Sequence, residues 1–228
     1  MRAGMKLTVY VPERAPRTKL DAIRATGADL RPCVDYDDAE RRAKEDAKSR
    51  DAIYVSPYSH PDVIAGAGTV ALEILDEQPD ATIVVPIGGG GLISGIAIAA
   101  AARRGGTSNV CGVEVEASSP FTHGRAAGRI VTIDVGPTLA DGLAGNLDPE
   151  TVTFDIVQKL VPQIAVVTED ELKTAMAGLV LKEKLVVEGA GAVGVAALLS
   201  RKIVSSGAPV AVVVSGANVD PSVLRSLL

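Results

Sequence analysis

The chain has 228 residues; 47% are apolar, 22% charged and 3% aromatic, and none is Trp. A mean hydropathy of +0.26 excludes a mainly disordered polypeptide, so the core must come from Ala, Val, Leu and Ile. A net charge of −5, a pI near 5.1 and no basic stripe with interleaved aromatics argue against nucleic acid as a partner.

In chain order the sequence alternates strands with helices. Residues 7–11 form a β-branched run that stops at Pro12. Residues 17–26 read as a helix with Leu20 and Ile23 on one face and Gly27 as its stop. Residues 35–51 are densely charged, with Ala39, Ala43 and Ala47 four apart, which predicts a solvated helix with a narrow alanine seam. Residues 52–55 read as a strand, and Ser59 and Pro61 open a helix running to about Glu77. Residues 82–87 are a continuous apolar strand, followed by four glycines and an apolar helix from Leu92 to about Ala102. Residues 109–115 are a further strand. Thr168 and Glu171 form a capping box for a helix that turns Leu172, Ala175, Met176, Leu179 and Val180 inward. Residues 189–199 are apolar all round and rich in small side chains, which predicts a buried, closely packed helix. Residues 209–214 are a final core strand. Repeated β-α units of this kind predict an α/β fold with a parallel-type sheet covered by helices on both faces.

Cys33 and Cys111 lie far apart without a Cys-x-x-Cys spacing, and His60 and His123 are too few for a His-based zinc site. The first residues carry no export signal. The longest apolar helix candidate, residues 92–102, is too short to span a bilayer. The expectation is a cytoplasmic protein with no membrane partner.

The strongest chemical signal is the passage of a strand, Val84-Val85-Pro86-Ile87, into Gly88-Gly89-Gly90-Gly91-Leu92. Backbone without Cβ atoms lets N–H groups approach an anion, and the helix N-terminus adds partial positive charge. The run fits neither G-x-G-x-x-G nor a Walker A loop, so a small monophosphate suits it better than a dinucleotide or triphosphate. The second signal is Ser215-Gly216-Ala217-Asn218-Val219-Asp220 after the last strand. There a hydroxyl emerges at the strand's C-terminal end, where ligands of open α/β sheets gather. Taken alone, Ser215 reads better as a turn or helix-cap serine than as a ligand-binding one.

These features and their contexts carry a resemblance. Ser56-Pro57-Tyr58 and residues 62–74 resemble the stretch before the phosphate loop of threonine dehydratases and serine racemases, which are tryptophan-synthase-β-like (fold type II) pyridoxal-phosphate enzymes. Gly88–Leu92, Ala140-Asp141-Gly142, Glu188 with the small residues to Gly194, and residues 215–220 follow in that family's order. The resemblance implies a tryptophan synthase β-like fold, here incomplete. Residues 1–56 would be the remainder of a small domain. Residues 57–228 would be the large cofactor-binding domain without its N-terminal segment. It implies pyridoxal 5'-phosphate as cofactor, its phosphate on the backbone of Gly88, Gly89, Gly90, Gly91 and Leu92. Ser215 would meet the pyridine nitrogen, Asp141 and Gly142 would line the ring edge, and Glu188 would lie near the cofactor. The family often binds a divalent cation, Mg or Ca, beside the loop after the next strand. Glu114 matches its carboxylate and Ser118 offers a backbone carbonyl, but Pro120 stands where related chains place an acid.

The resemblance also exposes a gap. The family's Schiff-base lysine sits in a Ser-x-Lys-x-Arg-Gly-Ala segment, and no such segment is present. The nine lysines are Lys6, Lys19, Lys44, Lys48, Lys159, Lys173, Lys182, Lys184 and Lys202. The nearest local match, Ser200-Arg201-Lys202, continues Ile203-Val204 and reads as a surface cation at a helix end. The catalytic lysine is therefore expected to be absent and the chain to be N-terminally truncated. A homo-oligomer or a complementary N-terminal fragment would cover the missing elements. The implied reaction is loss of water and ammonia from a β-hydroxy amino acid to give a 2-oxo acid. Racemisation, β-replacement and a non-catalytic cofactor-binding remnant remain open at this point.

Overall fold

Two short strands begin the chain in the computed structural model, which describes residues 4–13, 15–204 and 207–227. β1 (Thr8–Pro12) pairs in parallel with β2 (Asp29–Cys33), Thr8 opposite Asp29. α1 (Arg17–Ala25) crosses between them and ends before Gly27, whose φ of +79° lets the chain turn back. α2 (Tyr36–Ser49) is capped by Asp35, whose carboxylate accepts from the Asp38 N–H at 2.8 Å. Its alanine seam behaves as predicted, with Ala39 buried and Ala43 and Ala47 half-buried. Residues 52–55 are not the expected strand. A β-branched run becomes a strand only with a ladder partner, and among the described residues no strand pairs with this one, which leaves Ile53 89% exposed.

The second group of elements starts with α3 (Pro61–Glu77). Pro61 occupies its first turn as predicted, but the cap is His60, whose Nδ1 accepts from the Asp62 N–H, and not Ser59. The strands β3 (Thr82–Pro86), β4 (Val110–Val115), β5 (Gln163–Val167) and β6 (Val210–Val212) form one parallel sheet in the order β5-β4-β3-β6. Ile83 pairs with Val110 on one side and Ala211 on the other, and Cys111 pairs with Gln163. β3 is a buried central strand, as its continuous apolar run predicts, and β4 beside it is buried along its whole length. β6 is a three-residue edge strand of half-buried residues, not a core strand, because only β3 pairs with it.

Alternation along β3 decides which helices cover which face. Ile83, Val85 and Ile87 join a cluster with Ile93 and Ile96 of α4 (Gly91–Arg103), Ala71 and Leu75 of α3, and Phe154 and Val157 of α6 (Thr153–Leu160). Val84 turns the other way, toward Gly194 of α8 (Gly189–Leu199). α8 has the bounds expected of a closely packed helix, and α7 (Glu169–Leu181) packs on it with the predicted capping box in place. Leu172, Ala175, Met176 and Leu179 are buried, and Val180 is half-buried. α5 (Pro120–Ala127) follows β4, and α9 (Pro221–Leu227) ends the chain. The parallel sheet with helices on both faces agrees with the α/β expectation. No helix among the described residues is long and apolar enough to cross a membrane.

The chain divides into two compact units, one of Met1–Val55 with Asn218–Leu228 and one of Ser56–Ala217. Residues 218–228, which the sequence reading kept with the second unit, group with the first. Val223 and Leu224 of α9 are half-buried.

Candidate functional site

β3 is buried on both faces and ends at Pro86, so the glycine run begins where the sheet stops and α4 starts. Gly90 is the N-cap of α4 in the left-handed region, φ +85° and ψ 0°, and Gly91 after it is already helical. Such a change of hand turns successive N–H groups to one side, the geometry of an anion-binding nest. Among the described residues no protein acceptor meets the N–H groups of Gly88, Gly89 or Gly90. Together with the first turn of α4 they present free donors and partial positive charge.

The loop is bounded closely. A Cβ on Gly88 would stand 3.0 Å from the Gly142 carbonyl, one on Gly89 would overlap the Tyr58 ring, and one on Gly91 would lie 2.6 Å from the Tyr58 carbonyl. On the remaining side a Cβ on Gly90 would come within 2.6 Å of the Phe121 ring and 3.0 Å of Thr153. Tyr58 is itself held, its phenol oxygen accepting from the Asp148 N–H at 3.2 Å.

The other expected cofactor contacts converge on the same end of the sheet. Asp141–Leu143 forms a single 3-10 turn, which sets Gly142 against Gly88. Glu188 is the N-cap of α8. Its N–H donates to the Gly216 carbonyl at 3.1 Å, and its carboxylate lies so close to Gly216 that a Cβ there would overlap it. Ser215 precedes Gly216 and is exposed, two residues past Val213, whose N–H still bonds the Val84 carbonyl of β3. The structure thus brings Gly88, Gly89, Gly90, Gly91 and Leu92 together with Gly142, and Ser215 together with Glu188. Both groups stand at the C-terminal ends of neighbouring strands.

A phosphate-bearing ring fits this donor set: unspent amides for the phosphate, a neutral hydroxyl for a ring nitrogen, and no room for side chains in between. At the expected metal position the carboxylate is already bonded within the protein. Glu114 is fully buried. Its Oε1 accepts from the Phe121 N–H at 2.8 Å, and its Oε2 from the Thr122 N–H at 2.9 Å and the Thr122 hydroxyl at 2.6 Å. It does for α5 what the cap residue Ser119 does not, since the Ser119 hydroxyl meets the His123 ring and makes no capping bond to the helix N–H groups. Burial pushes the Glu114 carboxyl above its ordinary range, against the lowering effect of the bonds from Thr122 and Phe121. The Ser118 hydroxyl lies 3.2 Å from the Leu143 carbonyl, 3.3 Å from the Gly145 carbonyl and 3.2 Å from the Gly145 N–H, tying the loop after the 3-10 turn. Pro120 offers no acid, and among the described residues no group of three His, Cys, Asp or Glu could hold a metal ion.

Lys202 is not the free surface cation expected. Its Nζ donates to the Val166 carbonyl at 2.8 Å and to Glu171 at 2.7 Å, joining the end of β5 to the first turn of α7. Burial works to raise the Glu171 carboxyl, but Lys202 and the Thr168 N–H prevail and hold it below the usual range.

Sequence reasoning missed the residues that fix the glycine loop from behind. Tyr58 entered only as part of a matching stretch. Thr151 and Thr153 gave no signal beyond a pair of hydroxyls two apart. The Thr153 hydroxyl donates to the Gly89 carbonyl at 2.7 Å.

Residues 1–216 match the family described as pyridoxal-phosphate dependent enzyme. The chain belongs to that family, and its fold is of the tryptophan synthase β-like type. It is 41% identical over 219 residues to the L-threonine ammonia-lyase of Geobacter sulfurreducens, covering 95% of this chain and 54% of that protein. It is 38% identical over 228 residues to the catabolic L-threonine dehydratase TdcB of Escherichia coli K12, covering 96% of this chain and 67% of that protein. The structure of maize serine racemase superposes with a TM-score of 0.86 at 31% identity, covering 98% of this chain and 69% of that one. The chain thus spans about half to two thirds of the length of these curated relatives.

Proposed function

We propose that this chain is the cofactor-phosphate-binding portion of an ammonia-lyase of the threonine/serine dehydratase type, and that it is inactive alone. The observation that carries the reading is the row of N–H groups from Gly88 to Gly90, which meet no acceptor among the described residues beside the start of α4. Pyridoxal 5'-phosphate, when bound, supplies the electron sink that makes the α-proton of an amino acid removable. The chain's own residues would do the rest of the binding. The loop from Gly88 to Leu92 would hold the phosphate, and Ser215 would face the ring nitrogen as a neutral partner that does not enforce its protonation, which suits elimination. Asp141 and Gly142 would line the ring edge and Glu188 would lie beside it. The relatives' names, two threonine lyases and a serine racemase, support a β-hydroxy amino acid as substrate.

A second reading, a cofactor-binding remnant without catalysis, is favoured by one observation. The only local match to the lysine motif, Lys202, has its amine engaged by Val166 and Glu171. Both readings propose a partner, either a second copy or a complementary N-terminal fragment carrying the lysine.

Borohydride reduction after mixing with pyridoxal phosphate tests these readings. The expected result is reversible cofactor binding with none of the nine lysines labelled, and conversion of threonine or serine to a 2-oxo acid once an N-terminal fragment with the lysine segment is added. A stoichiometric label on one lysine of the isolated chain would overturn the claim of inactivity. Binding without turnover in the presence of the fragment would leave the remnant reading standing.

A further inference from the structure

We infer that Thr153 is a positioning residue for the glycine loop: by holding the Gly89 carbonyl, it turns the Gly90 N–H toward the bound anion. The inference rests on the proposed reading of that loop as a phosphate site. The Gly89–Gly90 peptide is trans, so its carbonyl and its N–H point in opposite directions. Anchoring one therefore aims the other. Thr153 Oγ1 sits 2.7 Å from the Gly89 carbonyl, and the Thr153 side chain is fully buried, so water does not compete for that bond. A peptide between two glycines has no side chain to stop it flipping. The loop needs such an anchor from outside.

The hydroxyl is not spent on its own helix. Thr153 is the first residue of α6, a place where Thr ordinarily serves a helix N-terminus, yet α6 has Val152 as its cap and no side-chain capping bond. Instead the hydroxyl reaches a carbonyl 64 positions earlier in the chain. It is also supported from behind. Thr151 Oγ1 lies 2.8 Å from Thr153 Oγ1, and Ser59 Oγ lies 3.2 Å from Thr151 Oγ1. A hydroxyl owns one hydrogen and a carbonyl can only accept, so Thr153 gives its hydrogen to Gly89. The one Thr151 hydrogen then lies between two acceptors, the Thr153 and Ser59 oxygens, which packs Thr151 against Thr153 from behind.

Three variants test this: Thr153→Val keeps the shape without the hydroxyl, Thr153→Ser keeps the hydroxyl, and Thr151→Val removes the support. Each is titrated with pyridoxal phosphate and with inorganic phosphate. The amide resonances of residues 88–92 are recorded without ligand. Thr153→Val should weaken pyridoxal phosphate binding about tenfold, the worth of one aligned hydrogen bond. Its Gly90 amide should shift or split, while Thr153→Ser stays near wild type and Thr151→Val falls between. Thermal melts identify any variant that does not fold, and then Thr151→Val carries the comparison. Wild-type binding by Thr153→Val with unmoved amides would overturn the inference. If the unsubstituted chain does not bind the cofactor, the functional reading falls, and the ligand-free amides alone then decide whether Thr153 sets the loop. Unmoved amides there overturn it, and shifted ones uphold it.

Discussion

Gly90 answers two demands at once: a left-handed backbone, and a Cα pressed against Phe121 and Thr153. Gly90→Ala adds a Cβ to a φ of +85° and drives it toward a ring that is itself buried. Strain at that φ and overpacking together should cost about 2–4 kcal/mol, read from urea denaturation at constant m. Pyridoxal phosphate affinity should fall with it. Glu114 presents a different residue-scale problem, a fully buried carboxyl whose folded pKa is raised by burial. A raised pKa means the folded state holds the proton more tightly than the unfolded state. The associated stability is present below the ordinary glutamate value and is lost as pH rises through the raised folded value. The stability difference between wild type and Glu114→Gln should therefore shrink as pH climbs through that window. A gap that widened with pH would show that the bonds from Phe121 and Thr122, not desolvation, govern this carboxyl.

Among the elements, α3 and α4 are in contact along glycines. A Cβ on Gly95 would overlap the Ile64 carbonyl and lie 2.7 Å from the Gly68 nitrogen, and one on Gly68 would lie 3.1 Å from the Gly95 carbonyl. Backbone lies against backbone there, so no side chain can swing aside. Gly95→Ala should push the helices apart at a cost of about 2–4 kcal/mol and disturb the start of α4, where the anion loop ends. Denaturation together with cofactor titration measures both effects. A neutral result would mean that the two helices slide to make room. The sequence announced α8 in full, because eleven apolar or small residues leave no solvent face. It announced β3 and the glycine run equally well. β2 was hidden: Asp29, Arg31 and Pro32 carry little strand signal, and it is a strand only because β1 lies beside it in a two-stranded ribbon that tolerates Pro. β5, α5 and α6 were also missed, being short segments settled by packing more than by propensity.

For the whole molecule, the stretch between α2 and α3 lies at the boundary of two compact units and leaves Ile53 89% exposed, with no strand partner among the described residues. Exposed backbone without a ladder is where proteases cut. Brief thermolysin treatment should cleave before Ile53 and spare the unit Ser56–Ala217, whose parallel sheet has its own core. Mass spectrometry of the surviving fragments checks this. First cleavage inside β3 or α4 would contradict it. β6 leaves one edge of that sheet without a partner among the described residues, and Val204 and Val214 beside it are exposed. That edge is where the proposed fragment or second copy would have most to cover.

By itself the sequence determined the fold class, the glycine run and the order of the motifs, because these depend on residues close together in the chain: apolar runs, small side chains, a strand entering glycines. Only the tertiary structure decided what stands behind the loop. Thr153 and Tyr58 reach Gly89 from 64 and 31 positions away, and the Glu114 carboxylate accepts the first N–H groups of a helix. A hydroxyl or a carboxylate does its work through the atoms it touches, and those contacts exist only after the chain has folded.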